Sequence, residues 1–376
     1  MRIVITGGGT GGHVYPGLAV AEALRGVDPE GEVLFVGTRG GMEARLVPEA
    51  GYPFTTVPAS GVRGLGWGAR LRFAANLAVG LVRAWWLLWR FKPDMVLATG
   101  GYVSVPVVAA ARLLGRRIVL QEQNSVPGSA NRLAARWAEM VYLGFAEGAE
   151  AFPGTMSRWT GNPVRRAVVE SLTASRREPW NGRRPLHLLI FGGSRGARTL
   201  NRAVMEAAAA WTGETRLEAR IQTGPDDHAE VDRALAATRT AWRQDGRELR
   251  VTPFIEDMAA SLAWADLVVC RAGAMTLSEL TAAGLPAILV PFPHATDDHQ
   301  TRNAAGLSRA GAAELLPDDL CTGDSLRAMV DHLRADPEVL ADMARRSAAH
   351  ARPDAAMEIA VDLLRRTGAL DANPRS

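Results

Sequence analysis

The chain has 376 residues, 47% of them hydrophobic, more than one ordinary core accommodates and suited to two α/β domains. Its formal net charge is only +3, and the basic residues are almost all arginine, Lys92 being the single lysine; so mild and dispersed an excess excludes a nucleic-acid-binding surface. Cys270 and Cys321 stand far apart with no C-x-x-C partner or histidine cluster, which argues against a disulfide framework and a structural zinc site.

The chain opens on a strand-like run, Ile3-Val4-Ile5-Thr6, without a basic and apolar leader, so a cytoplasmic location is expected. The loop Gly7-Gly8-Gly9-Thr10-Gly11-Gly12-His13 follows, and then the helix-forming segment Gly17 to Arg25. Strand, glycine loop and helix together aim backbone N–H groups at an anion, and the missing Cβ atoms let a large ligand approach the main chain. His13 is placed at the mouth of the helix, where an imidazole meets the ligand. Gly7, Gly9 and Gly12 fit the dinucleotide fingerprint, yet the next strand, Val33 to Val36, runs into Gly37-Thr38-Arg39 with no carboxylate for a ribose. Nicotinamide and flavin are disfavoured on that mismatch. A tight turn without a ligand is the plainer alternative.

Further along, Asp94 to Thr99, Arg117 to Gln121 and Met140 to Leu143 read as strands alternating with helices, the pattern of a parallel sheet covered on both faces. Loops at the carboxyl ends of such strands carry the chemistry: Gly7 to His13, Gly100 to Ser104 and Glu122-Gln123-Asn124. Between them, a helix from about Leu71 to Phe91 holds Trp85, Trp86, Trp89 and Phe91 among leucines and valines. Its length suits a membrane span, but Arg83 inside it would cost about 2.5–3.5 kcal/mol at a bilayer centre. At 100° per residue Arg72, Arg83 and Arg90 fall within about 20° of one another, with Val79 and Trp86 at the border. That composition fits a surface touching anionic headgroups, with a mostly buried helix bearing a solvated stripe as the alternative.

The pattern pauses at Gly161-Asn162-Pro163-Val164-Arg165, which sets the expected domain boundary at 161/162. A second series follows: Leu186 to Phe191, Glu218 to Gln222, Glu248 to Thr252, Leu267 to Cys270 and Pro286 to Val290, its first strand ending in the glycine turn Gly192-Gly193-Ser194-Arg195-Gly196. The pair Asp297-Asp298 is expected to cap a helix rather than hold a metal.

Taken in order, Gly7 to His13 with Pro16-Gly17-Leu18-Ala19, Gly100 to Ser104, Glu122-Gln123-Asn124, Gly161 to Arg165, Gly192-Gly193-Ser194, Phe254-Ile255, Ala272 to Glu279 and His299-Gln300 resemble the MurG family of bacterial peptidoglycan glycosyltransferases. The resemblance spans nearly the whole chain. It implies an α/β GT-B fold of two Rossmann-like domains facing a central cleft, residues 1–161 binding acceptor and membrane, residues 162–352 binding UDP-GlcNAc, and a terminal helix of about 353–376 packing back on the first domain. It implies an inverting hexosyltransferase that moves GlcNAc from UDP-GlcNAc to the 4-hydroxyl of MurNAc in lipid I, giving lipid II at the cytoplasmic face of the membrane.

By the same resemblance, His13 is the candidate catalytic base, with Glu122 its rival. Donor contacts fall to Thr10, Gly11, Gly12, Asn124, Arg165, Ser194, Ile255, Ala274, Met275, Thr276, Leu277, Ser278, Glu279 and Gln300. Glu279 can accept from both ribose hydroxyls, and the helix N-terminus at Ala274 and Met275 offers N–H groups to the sugar or diphosphate. Gly9, Gly101 and Tyr102 are assigned to the acceptor diphosphate; Arg72, Val79, Arg83, Trp86 and Arg90 to the membrane. No cofactor or metal is implied for the chemistry. Lipid I, UDP-GlcNAc, an anionic membrane and other cell-wall synthesis proteins are the expected partners. Arg195 stands where glutamine is expected, and His299 where some members have glutamine. A UDP-GlcNAc 2-epimerase and a silent UDP-sugar sensor share the expected nucleotide, but the epimerase has no use for a tryptophan-rich basic helix.

Overall fold

Short apolar runs, each followed by a helical segment, build two separate parallel sheets. The computed structural model describes residues 1–59, 67–174, 179–211 and 215–370, the side chains of 67–74, 173 and 174 excepted. One unit comprises 1–166 with 352–376, the other 167–351.

In the first unit, β1 (Arg2–Gly7), β2 (Glu32–Gly37), β3 (Phe54–Thr56), β4 (Met95–Gly100), β5 (Arg117–Glu122), β6 (Met140–Leu143) and β7 (Ser157–Trp159) lie in the order β3-β2-β1-β4-β5-β6-β7. The second unit has β8 (Leu186–Phe191), β9 (Leu217–Gln222), β10 (Leu249–Thr252), β11 (Leu267–Cys270), β12 (Ala287–Leu289) and β13 (Ala313–Leu315), ordered β10-β9-β8-β11-β12-β13. The sequence pattern predicts ten of these thirteen strands. β3, β7 and β13, each a three-residue strand at a sheet edge, are missed, whereas the equally short β12 lies inside its sheet and stands out as a continuous apolar run. In each sheet the order reverses beside the first strand, at β1/β4 and β8/β11. Loops after those strands therefore open into a crevice, which is where such folds bind ligands.

Alternation along the strands divides the first unit's core between two faces. Ile3 and Ile5 of β1 and Met95 and Leu97 of β4 enter one cluster, while Val4, Val96 and Ala98 enter the other. The second face is covered partly by the long helix Trp67–Phe91, which buries Ala84 and Leu88. The first is closed by the helices Gly11–Val27 and Ala355–Thr367, the latter inserting Ile359, Ala360, Leu363 and Leu364, all fully buried. Each large side chain so buried contributes about 1.5–3 kcal/mol. Residues 371–376 of the expected terminal helix lie outside the described residues.

The division falls at 166/167 rather than at the expected 161/162, and hydrogen bonding gives the reason. Gln121 Nε2 donates to Asn162 Oδ1 at 3.0 Å and Asn162 Nδ2 donates to Gln123 O at 3.0 Å, tying this segment to the first sheet.

The terminal helix is pinned by Asp362, which accepts from Tyr142 Oη at 2.5 Å and Arg366 Nε at 2.6 Å. Burial opposes ionisation of Asp362, but these hydrogen bonds and the charges of Arg366 and Arg158 outweigh it and hold its carboxyl below the ordinary value. A depressed carboxyl stabilises the fold above its unfolded pKa, and the contribution is lost as pH falls through the folded one. Asp362→Asn is expected to lower neutral-pH stability by about 1–2 kcal/mol. In thermal scans the gap to wild type should close on acidification below about pH 4. A gap that persists at low pH would show that the ionic contribution is absent.

Candidate functional site

In the first unit the chain turns from β1 into the helix Gly11–Val27 through a loop in which Gly9 has φ +87°, a conformation that favours glycine. Beneath this loop lies Glu43, only 1% exposed and the first residue of the helix Glu43–Glu49. Its carboxylate accepts from Gly9 N at 3.0 Å, Thr38 N at 2.9 Å and Thr38 Oγ1 at 2.7 Å. A Cβ at Gly8 or Gly41 would run into the carboxylate, and one at Gly37 into its stem. Burial alone would raise its pKa, but the hydrogen bonds from Thr38 and Gly9 prevail and lower it. The sequence reading had Gly9 hold a diphosphate. Its N–H is instead taken by Glu43, a residue that reading did not single out.

The loops after β4 and β5 converge on the same place. Gly100 and Gly101 have φ of +104° and +83°; a Cβ on Gly101 would come within 2.5 Å of Gly8 O, and one on Gly100 within 3.0 Å of the His13 ring. His13, third residue of its helix and half-buried, sets Nδ1 3.0 Å from both Thr99 O and Gln123 Oε1. Glu122 is 1% exposed, and its two oxygens accept from Asn124 N at 3.0 Å, Gly128 N at 3.1 Å and Asn131 Nδ2 at 2.9 Å. It therefore frames the loop that carries Asn124. Thr10 is exposed at the N-cap, Gly11 and Gly12 open the helix, and Tyr102 is exposed on the loop after β4. The Arg165 guanidinium lies over the Tyr15 ring at 5.2 Å.

Over its described side chains, 75–91, the helix Trp67–Phe91 presents a broad exposed face rather than a narrow stripe. Val79, Val82, Arg83, Trp85, Trp86, Trp89 and Arg90 are all exposed, Trp85 stacks on Trp89 at 6.4 Å, and Arg90 lies 5.9 Å from the Trp86 ring. The face is thus wider than the residues first assigned to it. The side chain of Arg72 lies outside the described residues. No described helix is long and apolar enough to cross a membrane.

In the second unit Ser194 and Arg195 are exposed on the turn after β8, which is held by Gly192 N donating to Gln222 Oε1 at 3.2 Å. Ala274 to Glu279 form the first six residues of the helix Ala274–Ala283, directly after β11, and Ser278 Oγ donates to Ala274 O at 3.0 Å. Ile255 lies between β10 and the helix Met258–Trp264. Gln300 is the second residue of the helix His299–Arg309, and its Oε1 accepts from Phe292 N at 3.0 Å. Asp298 occupies the N-cap of that helix, but its carboxylate takes the Thr301 hydroxyl at 2.6 Å and makes no cap bond. Asp297 and Asp298 have φ of +54° and +52°, so this turn is strained.

Arg271 was not foreseen. Its Nη1 donates to Val290 O and Pro291 O at 3.1 Å and to Asp318 at 2.5 Å, and its guanidinium faces Phe292 at 5.5 Å, bracing the chain that carries Gln300's partner. A lone cation directly after a buried strand was the available signal.

The N-terminal domain of glycosyltransferase family 28 matches residues 3–143, and its C-terminal domain residues 187–359. The UDP-N-acetylglucosamine–N-acetylmuramyl-(pentapeptide) pyrophosphoryl-undecaprenol N-acetylglucosamine transferase of Geotalea uraniireducens is 42% identical over 366 residues, 97% of this chain and 98% of that protein. The protein of the same description from Acidithiobacillus ferrooxidans is 45% identical over 370 residues, 98% and 99% of the two chains. The crystal structure of Acinetobacter baumannii MurG matches with a TM-score of 0.78 at 32% identity, covering 97% of this chain and 99% of that one. A UDP-N-acetylglucosamine 2-epimerase matches at TM-score 0.66 and 14% identity, a likeness of fold alone.

Glu43→Ala leaves the Gly9 and Thr38 amides without their acceptor, at a cost of about 1–3 kcal/mol. Hydrogen exchange is expected to speed up at Gly9 and Thr38 and to stay unchanged in the second unit. Equal protection in wild type and variant would show that the loop holds itself.

Proposed function

The chain belongs to the undecaprenol-linked N-acetylglucosamine transferases of glycosyltransferase family 28, and from that membership we infer that it moves GlcNAc from UDP-GlcNAc to lipid I, giving lipid II in peptidoglycan synthesis. The near-full-length identity to transferases of that description carries the reading.

The roles of the residues follow from chemistry and position. The 4-hydroxyl oxygen of the muramyl sugar attacks the anomeric carbon of GlcNAc from the face opposite UDP. The new O–C bond forms as the bond to the phosphate oxygen breaks; UDP leaves with the electron pair, and the configuration inverts. His13 takes the hydroxyl proton. What supports His13 over Glu122 is accessibility: Glu122 is buried with its oxygens engaged by the Asn124, Gly128 and Asn131 donors, whereas His13 is half-buried on the rim of the glycine loop. The acceptor diphosphate is assigned to the Gly101 and Tyr102 loop, with Gly9 removed from that role because Glu43 takes its N–H.

Glu279 holds the ribose, and Ser194 with the amides at Ala274 and Met275 stabilises the departing diphosphate. Gln300 uses Nε2 as donor to a sugar hydroxyl, its oxygen being engaged by Phe292. Thr10, Gly11, Gly12, Asn124 and Arg165 from the first unit, and Ile255, Thr276, Leu277 and Ser278 from the second, complete the donor contacts. No metal or cofactor is assigned to the chemistry.

The exposed face of the helix Trp67–Phe91 is the membrane contact, holding the enzyme at the cytoplasmic leaflet as a peripheral protein. Its aromatic and basic composition supports this reading.

Incubation with labelled UDP-GlcNAc and lipid I is expected to carry label into the organic phase as a lipid-linked disaccharide. Free N-acetylmannosamine, or no transfer, would sink the assignment. For the membrane face, changing Arg83 and Arg90 to glutamine should weaken binding to acidic vesicles by roughly thirtyfold, about 1 kcal/mol per charge, and added salt should mimic the change. Cosedimentation that ignores both would move the contact elsewhere.

A further inference from the structure

Behind His13 the buried amide side chains form a hydrogen-bonded chain with one direction. Gln123 Nε2 donates to Thr99 O at 2.7 Å and to the side-chain oxygen of Gln121; Gln121 Nε2 donates to Asn162 Oδ1 at 3.0 Å; Asn162 Nδ2 donates to Gln123 O at 3.0 Å. All three side chains are no more than 2% exposed. Both ends of the chain are backbone carbonyls, which only accept. Turning the amides around would set Asn162 Oδ1 against Gln123 O and Gln123 Oε1 against Thr99 O, acceptor on acceptor, so the backbone dictates the orientation of every member.

That orientation decides where the proton sits on His13. Nδ1 faces two oxygens, Gln123 Oε1 and Thr99 O, each at 3.0 Å, so Nδ1 carries hydrogen. In a neutral imidazole the other nitrogen, Nε2, then keeps its lone pair. The backbone that carries the ring is held as well, because Thr99 Oγ1 donates to the His13 carbonyl oxygen at 2.7 Å.

We propose that Gln123, held by Gln121 and Asn162, is the positioning residue of the transferase: it fixes the Nδ1–H tautomer of His13 and presents Nε2 to the acceptor hydroxyl. The proposal rests on His13 being the base. A neutral amide suits this task because it orients the ring without bringing a charge, whereas a carboxylate at the same place would favour the imidazolium, which cannot accept a proton. The glutamine in the stretch Glu122-Gln123-Asn124 thereby acts on the reaction without touching the substrate.

The test uses the full-length enzyme labelled with 15N-histidine, with His13 assigned by difference from His13→Ala. Wild-type His13 is expected to show hydrogen on Nδ1 and a bare Nε2 when neutral. Gln123→Met, of similar volume, should shift part of the population to Nε2–H and lower kcat by about ten- to a hundredfold, the scale seen when an outer partner of a functional histidine is removed. KM for UDP-GlcNAc should not change. Gln123→Glu keeps an acceptor at Nδ1 but adds a charge that favours the imidazolium, so the acidic limb of its kcat profile should move to higher pH than in the wild type. Hydrogen on Nε2 in the wild type, wild-type kcat in Gln123→Met, or a pH profile of Gln123→Glu identical to that of the wild type would each overturn the proposal. Normal turnover in His13→Ala would overturn the base reading instead, and the tautomer would still report on Gln123.

Discussion

A single buried carboxylate sets the shape of the first unit's functional edge. Glu43 gathers two backbone N–H groups and a hydroxyl under the glycine loop, and three glycines leave room for its stem and oxygens. Desolvating a carboxylate is costly unless donors surround it, and here the donors come from the loop and from the end of β2. The loop therefore cannot relax independently of β2. Its fixed course lets Gly101 close on Gly8 and brings the ring of His13 against Gly100.

The same interaction separates the two halves of the chain chemically. Both units have the same strand order about the first strand, and both turn from it into a helix through glycines. In the first unit the turn is held by an anion, Glu43. In the second it is held by a neutral amide, Gln222, whose Nε2 is in turn engaged by Pro253 O at 3.1 Å. A neutral brace leaves the second unit's amides and helix dipole free to attract a phosphate. The proposed placement of the donor diphosphate on the second unit's amides agrees with that electrostatics.

Much of this was legible in the sequence because backbone geometry leaves strong marks. Glycines at positive φ announced the turns around Gly9, Gly101 and Gly193, and β-branched runs announced the long central strands. The missing parts depend on contacts across the chain. The dinucleotide fingerprint seemed to lack its acid because Glu43 lies six residues beyond β2 and turns under the loop instead of toward a ribose. Gln123 and Asn162 read as loop residues, since a directional amide chain joining positions 13, 121, 123 and 162 has no local pattern. Helical spacing located the basic stripe of the long helix but understated the exposure of Trp85 and Trp89, which depends on what the other face packs against.

That tryptophan face gives the protein an optical handle. Trp85, Trp86 and Trp89 are exposed on one helix, while Trp180, Trp211, Trp242 and Trp264 are buried in the second unit. These two sets lie in different surroundings, one wet and one dry, with Trp159 a further exposed tryptophan away from the helix. Contact of the helix with lipid or detergent is expected to shift the helix set toward the blue, while a quencher carried in acyl chains spares the buried set. The second unit's dry population serves as an internal reference, so docking can be followed on the unlabelled protein.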